Sequence, residues 1–338
     1  MENNHQNLRE RAIAYLTQDE LYSIEKMLGR EPNPFELNMF AAMWSEHISY
    51  KSSIKWIEEM PFSGESVFIP AGEENAGVID LGDNLACVIK MESHNHPIAV
   101  DPAQAAVCVG NINRDLITMG AVPVGHLNIL RFGDLSQRFI RNIFNSVIKA
   151  LGSYSNNFGV PVIGGEVLFD RSYNLNPLLN ILGIGIVHKD KLIKASVKDS
   201  NHVLLLIGKK TSGIGVHGAG FASKAIRNVG QIVPESQVAD PFSGKILMDC
   251  ILEISEKGFI HGMQDIGAGG VLCAATEMAF RGKRGIELHL DKIPVEKENI
   301  THLEKMLSQT QEQMLLSVKT DDIDRIKEIQ VSGEWSVA

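Results

Sequence analysis

The densest group of polar side chains in the sequence is Glu92-Ser93-His94-Asn95-His96-Pro97, which follows the apolar run Leu85 to Met91. In α/β proteins, side chains that bind ligands often lie where a buried strand meets a loop. Strand alternation would place Glu92, His94 and His96 on one face. A carboxylate beside a histidine favours a magnesium ligand next to a proton-transfer group, with a zinc site or a solvated strand end as alternatives.

Two aspartates are further candidates for hard metal ligands. Asp115 lies on a predicted helix, and Asp265 precedes the glycine-rich turn Gly267 to Gly270, which leads into another helix. The backbone N–H groups of such a turn can bind a phosphate, and a nearby aspartate can hold the metal that accompanies it. Either aspartate alone could be a helix cap or a surface carboxylate. With Glu92, they predict a site for magnesium and phosphate.

Two glycine motifs have weaker functional signals. The string Gly213 to Gly218 matches G-x-G-x-x-G, but Lys209 to Ser212 separate it from the preceding strand, whereas the dinucleotide fingerprint follows its strand directly. We therefore interpret this string as a structural turn or a loop that closes over a phosphate, rather than an NAD site. Gly164-Gly165-Glu166 follows another predicted strand and is also compatible with a bulge.

Capping signals and hydrophobic spacing predict the elements that position these residues. Helices are expected from Thr17 and Asn33, over Pro102 to Met119, after Asp240, and from Gly270 to Arg281. A further amphipathic helix should bury Phe139, Ile140, Ile143, Val147, Ile148 and Leu151. Pro97 is expected to keep the chain extended. Strands are expected near residues 85–91, 122–130, 160–163, 178–187, 203–207, 286–290 and 314–318.

The composition is that of a globular α/β protein of about two domains. The 338 residues are 44% hydrophobic and 22% charged, which excludes a disordered or fibrous chain, and no apolar run reaches the length of a membrane span. A net charge of −9 without a basic block argues against nucleic acid as a partner. We interpret Cys87, Cys108, Cys250 and Cys273 as buried, reduced thiols. The absence of signal-peptide features near the N-terminus leads us to expect a cytoplasmic protein.

The charged stretch His188 to His202 has little periodicity and is the expected domain boundary. We expect an N-terminal helical segment over 1–60, one α/β domain over 61–195 and a second over 196–338.

Taken together and in order, the motifs resemble the phosphoribosylformylglycinamidine synthase family, also called formylglycinamide ribonucleotide amidotransferase. The resemblance is to the N-terminal half of the synthetase subunit of the small bacterial type. It rests on Leu28-Gly29-Arg30-Glu31-Pro32, Met43-Trp44-Ser45-Glu46-His47, Glu74-Asn75-Ala76-Gly77, Glu92-Ser93-His94-Asn95-His96-Pro97, Asn113-Arg114-Asp115, Gly164-Gly165-Glu166, Val216-His217-Gly218-Ala219, Asp240-Pro241-Phe242 and Gln264-Asp265-Ile266-Gly267-Ala268-Gly269-Gly270. It implies a mixed α/β architecture similar to aminoimidazole ribonucleotide synthase, with an N-terminal sheet domain for pairing.

The resemblance also implies a reaction and a set of roles. ATP would phosphorylate the amide oxygen of formylglycinamide ribonucleotide, ammonia from glutamine would attack the imidate carbon, and phosphate would leave, as a step of purine biosynthesis. The implied roles are His94 as proton acceptor, His47 as a second active-site histidine, Tyr50 and Lys90 for ATP, Glu92, Asp115 and Asp265 for Mg²⁺, and Ser93, His94, Asn95, His96, Arg114 and Gln237 for the substrate. Phosphoryl transfer depends on such metal clamps and positioned cations.

The chain departs from the family pattern at several positions. Ile48 replaces a usual Cys, Asn111 a usual Gly, and Gln309-Thr310-Gln311 a substrate-binding Glu-Ser-Gln, which removes a carboxylate. The family chain is also roughly twice as long, with two tandem copies of this architecture.

Three interpretations follow from the single copy. The chain could be an N-terminal half that needs its second half, together with a glutaminase subunit and a small accessory subunit. It could be a self-dimeric, ATP-using relative, resembling aminoimidazole ribonucleotide synthase or selenophosphate synthetase, that acts on another substrate. It could also be a non-catalytic module for nucleotide binding or assembly. Glu92, His94, Asp115 and Asp265 together favour the first two.

Overall fold

A computed structural model describes residues 2–216, 218–222, 237, 239–329 and 336–337. The described helices are α1 Glu2–Ile13, α2 Gln18–Leu28, α3 Pro34–Met43, α4 Glu46–Ser49, α5 Ile54–Ile57, α6 His96–Val100, α7 Ala105–Thr118, α8 Arg138–Phe158, α9 Gly218–Ala222, α10 Pro241–Glu256, α11 Gly270–Gly282, α12 His302–Leu307 and α13 Ile323–Glu328. The described strands are β1 Val67–Ile69, β2 Gly77–Gly82, β3 Leu85–His94, β4 Val122–Phe132, β5 Val162–Phe169, β6 Leu178–His188, β7 His202–Gly208, β8 Gly262–Asp265, β9 Gln313–Lys319 and β10 Ser336–Val337.

The first sheet has the strand order β1-β2-β3-β6-β4-β5 over the described residues. Its pairs are antiparallel except β4 with β5, which are joined through the long helix α8. Helices α7 and α8 cover one face, where Ile112, Leu116 and Val147 join the main hydrophobic core. The sheet therefore presents one side of its central strand β3 to α7, and the ligand-binding candidates lie at that contact.

The second sheet has the order β10-β7-β9-β8 among the described strands, with β7, β9 and β8 antiparallel. Helix α10 begins at its cap Asp240, whose carboxylate accepts the backbone N–H of Ser243, and packs against α7 and α8. Leu247 and Ile251 of α10 belong to the same core as the first sheet. The two sheets thus share a core, which brings the ends of β8 and β9 close to α7.

The N-terminal helices pack as a separate small cluster. Capping boxes at Thr17 and Asn33 begin α2 and α3, and Gly29 ends α2 in a left-handed conformation. Ile24 and Leu37 are buried in this cluster. Ala42 of α3 packs instead with residues of the second sheet's unit, so the cluster holds α4 beside the rest of the chain.

The other face of the first sheet exposes large apolar side chains. Val122 and Val124 on β4 and Met91 on β3 are each 45–46% exposed, and every residue of β5 is exposed. We call the exposed apolar side chains Val122, Val124 and Met91 the open face.

Most of the expected elements are confirmed, including the helices that begin after Thr17, Asn33 and Asp240. Residues 286–290 form no strand, and their partly buried side chains pack against the second core instead. Gly164-Gly165 lies within β5 rather than at its end. No described helix is long and apolar enough to cross a membrane.

Four local expectations are wrong. Pro97 does not keep the chain extended, because it is the second residue of α6, where its missing N–H costs nothing. His96 therefore begins a helix and does not continue the strand face of Glu92 and His94. Phe139 and Ile148 are 45% and 41% exposed, at the edge of the apolar stripe of α8. All four cysteines are free, but Cys87 and Cys273 are only partly buried.

The burial of His126 is expected to make the fold less stable in acid. This histidine is 1% exposed, and its Nε2 donates a 2.8 Å hydrogen bond to Oδ1 of Asn113. Burial lowers its pKa to about 4. Because the unfolded chain binds this proton near pH 6.5, stability falls as the pH drops from about 6.5 toward 4, by about 3 kcal/mol.

The measurement is the free energy of unfolding in urea between pH 4.5 and 7. The difference in the free energy of unfolding between wild type and His126→Gln should become smaller at the acid end, by most of the about 3 kcal/mol expected from the pKa of His126. His188→Gln is the matched control, because it replaces a histidine at the exposed end of β6. Parallel curves for wild type and His126→Gln would contradict the prediction.

Candidate active site

Lys90, Glu92 and His94 are alternate residues at the end of β3 and lie on the face toward α7. Lys90 Nζ is 3.4 Å from Oδ2 of Asp115 in α7 and 3.9 Å from Oε1 of Glu92. The same ammonium donates a 2.9 Å hydrogen bond to the carbonyl oxygen of Asn75. The structure therefore brings these predicted residues together.

The carboxylates of this pocket perturb one another. Burial first, and then the charges of Glu92 and Asp265, raise the pKa of Asp115 well above its usual range, although Lys90 opposes them. Burial also raises the pKa of Asp265, at the end of β8. Burial opposes ionisation of Glu92 too, but its hydrogen bond with His94 and the charge of Lys90 hold its pKa well below the usual value. The pocket is thus a site of crowded negative charge.

His94 lies beside this charge. Its Nε2 is 3.1 Å from Oε2 of Glu92, and its ring also bonds the thiol of Cys108 in α7. Burial alone would lower the pKa of His94, but the contacts with Cys108 and Glu92 raise it well above its usual range. The contact with Glu92 therefore favours the protonated form of the His94 ring.

Helix α4 forms the edge of the pocket. His47 interacts electrostatically with Glu92 and His94, and loss of surrounding water lowers the pKa of His47, with the charge of His94 adding to the effect. Tyr50 ends α4 in a left-handed conformation with φ 51° and is about half exposed, within electrostatic reach of Lys90.

Arg114 of α7 is 3% exposed and is held from several sides. Its Nη1 lies 3.3 Å from Oε2 of Glu312, and its Nη2 donates to Oδ1 of Asn111 at 2.6 Å and to Oε1 of Gln311 at 2.7 Å. Its Nε is 4.0 Å from Oδ2 of Asp265. Asn111, where the family usually has Gly, thus contributes a bond to this guanidinium.

Three glutamines form a hydrogen-bonded chain beside Arg114. Gln311 Nε2 donates a 2.6 Å bond to Oε1 of Gln237, and Gln237 Nε2 donates to Oε1 of Gln309. Thr310 turns the other way, and its hydroxyl accepts the backbone N–H of Ser212 at 3.0 Å. The structure therefore joins Gln309 and Gln311 to Arg114 and directs Thr310 to the neighbouring loop.

The glycine string packs directly on this chain. A Cβ at Gly218 would lie 2.8 Å from Oε1 of Gln309, and one at Gly215 would lie 2.9 Å from its Cβ. The carbonyl oxygen of Ile214 accepts the backbone N–H of Gln309. These contacts favour the interpretation of a structural turn at residues 213–216, while His217 lies outside the described residues.

Three predicted substrate residues occupy different positions. The side chain of Ser93 lies on the opposite face of β3 from His94 and donates a 2.5 Å hydrogen bond to Oδ1 of Asn180, so any contact with a ligand in the pocket would come from its main chain. Asn95 connects β3 to α6. His96 begins α6, and its side chain lies outside the part of the chain that the structure describes.

The donor set fits a magnesium ion only in part. Within the described residues, no group of three or more His, Cys, Asp or Glu side chains is arranged to hold a metal ion by itself. Glu92, Asp115 and Asp265 nevertheless supply the hard oxygen ligands that Mg²⁺ prefers, and their mutual repulsion would be relieved by a cation. Because Mg²⁺ is usually bound by one or two carboxylates plus substrate phosphates, this set fits an ion that arrives with a nucleotide.

The family models that match are the AIR synthase related protein N-terminal domain at residues 73–187 and C-terminal domain at 200–334, and the formylglycinamide ribonucleotide amidotransferase linker domain at 6–51. Among curated relatives, phosphoribosylformylglycinamidine synthase subunit PurL of Carboxydothermus hydrogenoformans is 45% identical and that of Salinibacter ruber 42%, each over 95% of this chain. The chain belongs to the phosphoribosylformylglycinamidine synthase family.

Solved structures of the family agree with this assignment. Thermotoga maritima PurL complexed with FGAR superposes with a TM-score of 0.84 at 35% identity, and PurL complexed with ATP with a TM-score of 0.81 at 33%. These matches cover 95% of this chain and about half of those chains. A structure of PurLQS from the same organism has a TM-score of 0.80. The chain spans 43–44% of the length of the two curated relatives.

Sequence reasoning did not identify Glu312 or Tyr154 as part of the site. Glu312 directly follows Gln311, and Tyr154 lies on the buried stripe of α8, where an aromatic residue is ordinarily a core residue. The available signal was the hydroxyl of Tyr154, which needs a partner when buried.

Proposed function

We propose that this chain is the N-terminal half of a synthetase that converts formylglycinamide ribonucleotide to formylglycinamidine ribonucleotide. The reaction joins the substrate amide, ATP and ammonia to give the amidine, ADP and phosphate. The observation that carries the proposal is the convergence of Lys90, Glu92, His94 and Asp115 in one pocket of a chain that belongs to this family.

The nucleotide is assigned to Lys90 and Tyr50. The Lys90 ammonium is held among the carboxylates and remains charged, because Asp115 and Glu92 raise its pKa against the effect of burial. Such a fixed cation stabilises the charge that moves between phosphoryl oxygens. Tyr50 at the exposed edge would pack on the base or ribose, and the similarity to Thermotoga maritima PurL complexed with ATP supports ATP as the nucleotide.

The cation is assigned to Glu92, Asp115 and Asp265. Glu92, Asp115 and Asp265 would hold Mg²⁺, which would neutralise phosphate charge when bound with the nucleotide. In its neutral form, His94 is the proposed acceptor of the proton that the attacking ammonia must lose. His47 at the edge of the pocket would assist as the second histidine of the site.

The ribonucleotide is assigned to Arg114, Gln237, Gln309, Thr310 and Gln311, with His94, Asn95, His96 and the main chain of Ser93 at the reacting end. Arg114 supplies a buried positive charge, and the glutamine chain supplies amide groups that can select acceptor oxygens. The similarity to Thermotoga maritima PurL complexed with FGAR supports this substrate.

The partners follow from the part of the relatives that the chain matches. We propose a second synthetase half that packs on this one, a glutaminase subunit that supplies ammonia, and a small accessory subunit of the same complex. The similarity to the PurLQS structure supports a complex with further subunits. We divide the chain at 1–60, 61–195 and 196–338, in accord with the helical cluster and the two sheets. The free cysteines fit a reducing compartment, and we place the protein in the cytoplasm.

The proposal is tested by combining the chain with the second half of a family synthetase and measuring ADP release. Release should require the ribonucleotide, ammonia and Mg²⁺ together. ADP release that is indifferent to the ribonucleotide would contradict the proposed substrate, and a complex that never releases ADP would contradict the proposed reaction.

The open face supports a second candidate state, a self-dimer of the chain in the absence of its other half. Val122, Val124 and Met91 leave apolar area in water on one side of the sheet. A symmetric dimer would bury this face against its own copy, with a mass about twice that of the chain. Lacking the second half's residues, such a dimer should show little amidation.

Light scattering on Val124→Asp tests this prediction. The substitution places a charge in the open face and should shift the chain from dimer to monomer. The matched control is Phe280→Asp, which changes an 85% exposed residue of α11 and should leave the mass unchanged. A wild-type chain that remains monomeric at high concentration would refute the packing argument.

A further inference from the structure

A buried carboxylate next to the substrate glutamines has no role in the proposed reaction. Glu312, before the start of β9, is 1% exposed. Its Oε1 accepts hydrogen bonds from the Tyr154 hydroxyl at 3.0 Å and the backbone N–H of Asp240 at 3.4 Å, and its Oε2 accepts from Nη1 of Arg114 at 3.3 Å. Glu312 therefore ties together α8, the cap of α10 and α7.

Two helical glycines make room for this arrangement. A Cβ at Gly110 in α7 would lie 2.8 Å from the Tyr154 oxygen. A Cβ at Gly244 in α10 would lie 2.7 Å from the same oxygen and 2.9 Å from Oε2 of Glu312. Real Cβ atoms do not approach so closely, and glycine within a helix is otherwise unfavourable. The space around Tyr154 and Glu312 thus depends on the absence of side chains on two neighbouring helices.

The backbone at Glu312 is also unusual. Its φ of 61° is in the left-handed region, which residues other than glycine rarely adopt. Its carbonyl oxygen accepts the backbone N–H of Lys209 at 3.1 Å, and a Cβ at Gly208 would lie 2.1 Å from that oxygen. The surrounding contacts therefore hold a strained residue in place, as is common near functional sites.

The consequence for Arg114 is a fixed orientation. Its Nη1 is occupied by Glu312 and its Nη2 by Gln311 and Asn111. Its Nε is buried without a hydrogen-bond partner among the described residues, 4.0 Å from Asp265. A buried N–H of this kind is costly unless a ligand completes it.

The orientation of Arg114 also sets the polarity of the glutamine chain. A guanidinium can only donate, so Gln311 must present Oε1 to it and Nε2 to Gln237. Gln237 in turn donates from Nε2 to Oε1 of Gln309. Among the described residues, no hydrogen bond then engages the Nε2 group of Gln309, which is a donor where a glutamate would offer only acceptors.

We propose that Glu312 and Tyr154 are positioning residues for the ribonucleotide, which hold Arg114 so that Arg114 Nε and Gln309 Nε2 both donate to acceptor oxygens of that ligand. This inference rests on the proposed function and extends it to the selection of an oxygen-rich, acceptor-bearing substrate. Tyr154 and Glu312 do not touch the ligand themselves. Nucleotide binding at Lys90 and Tyr50 does not depend on them.

The test uses Tyr154→Phe and Glu312→Gln in the complex with the second half. Each should raise the KM for the ribonucleotide at least tenfold, while the KM for ATP stays within twofold and kcat within about threefold. Gln309→Ala, which removes the terminal donor of the glutamine chain, should weaken binding of the ribonucleotide in the same selective way. Calorimetry should show the same selectivity: the variants should bind the ribonucleotide more weakly than wild type and bind Mg²⁺-ATP with nearly unchanged affinity.

Gly244→Ala and Gly152→Ala are a matched pair of helical substitutions. A Cβ at Gly152 in α8 meets no atom within 4 Å, so that variant should leave both KM values unchanged, whereas Gly244→Ala should reproduce the selective loss. The positioning role would be overturned by an equal loss of affinity for both ligands. It would also be overturned by unchanged KM values in Tyr154→Phe and Glu312→Gln. A wild-type complex that neither turns over nor binds the ribonucleotide would overturn this inference and the proposed substrate together. If the wild-type complex is active and only the selective KM changes of the variants are missing, the positioning role alone is overturned.

Discussion

Replacement of His94 by alanine should lower the amidation rate of the complemented synthetase by about 10²–10⁴-fold, the usual contribution of a positioned proton-transfer group. Nucleotide affinity should be nearly unchanged, because the ring contacts Glu92 and Cys108 and lies on the far side of Glu92 from Lys90. The measurement is ADP release at saturating ribonucleotide and ammonia, with ATP affinity determined separately by calorimetry.

Two other histidine variants control this experiment. His96→Ala should have the milder effect, because His96 begins α6 and does not share the strand face of Glu92. His289→Ala changes a half-exposed side chain in the second unit and should leave the rate unchanged. Greater sensitivity of His96 than of His94 would reverse the assigned roles.

Removal of Mg²⁺ should weaken ATP binding by about a hundredfold or more. Without a cation, the triphosphate would face Glu92, Asp115 and Asp265, whose mutual repulsion already raises the pKa of Asp115 beyond the effect of burial. Calorimetry with ATP, with Mg²⁺ and with a chelator, measures the difference. Equal affinity in the two titrations would contradict the metal assignment.

Asp265→Asn gives this prediction a sharper form. The variant should bind Mg²⁺-ATP about tenfold more weakly, because one ligand oxygen of the ion is lost, yet bind metal-free ATP at least as well as wild type, because one repelling charge is gone. The control is Asp249→Asn on the exposed side of α10, which should change neither affinity. A loss of both affinities would indicate damage to the pocket rather than loss of a metal ligand.

The sequence predicted the centre of this site because residue type and strand period are local properties. Glu92 and His94 follow a buried run at a spacing of two, and alternation alone places them together on the side that faces Asp115. Asp265 was predicted from the glycine turn that follows it. The two sheets were likewise expected from their hydrophobic runs. A capping box at Thr17, and the capping Asn33 followed by Pro34, located the starts of α2 and α3.

The remaining features depend on tertiary contacts that no local pattern carries. His96 leaves the strand face because Pro97 can begin a helix as well as extend a chain. The apolar side chains at residues 286–290 pack on the second core, and this segment pairs with no strand among the described residues. Glu312 and Tyr154 are separated by 158 residues and meet only because α8, α10 and β9 share one core. Their role was therefore visible only in the structure.

The most direct test of the proposed reaction follows one oxygen atom. Formylglycinamide ribonucleotide labelled with ¹⁸O in the amide carbonyl is incubated with ATP, Mg²⁺, ammonia and the chain combined with its second half. If the amide oxygen attacks the γ-phosphoryl group and leaves with it, one labelled oxygen should appear in inorganic phosphate for each ADP formed. In His94→Ala, labelled phosphate should form more slowly, in proportion to the lower rate of ADP release. Phosphate that carries no label would mean that water accepts the phosphoryl group, and it would contradict the proposed function of this chain.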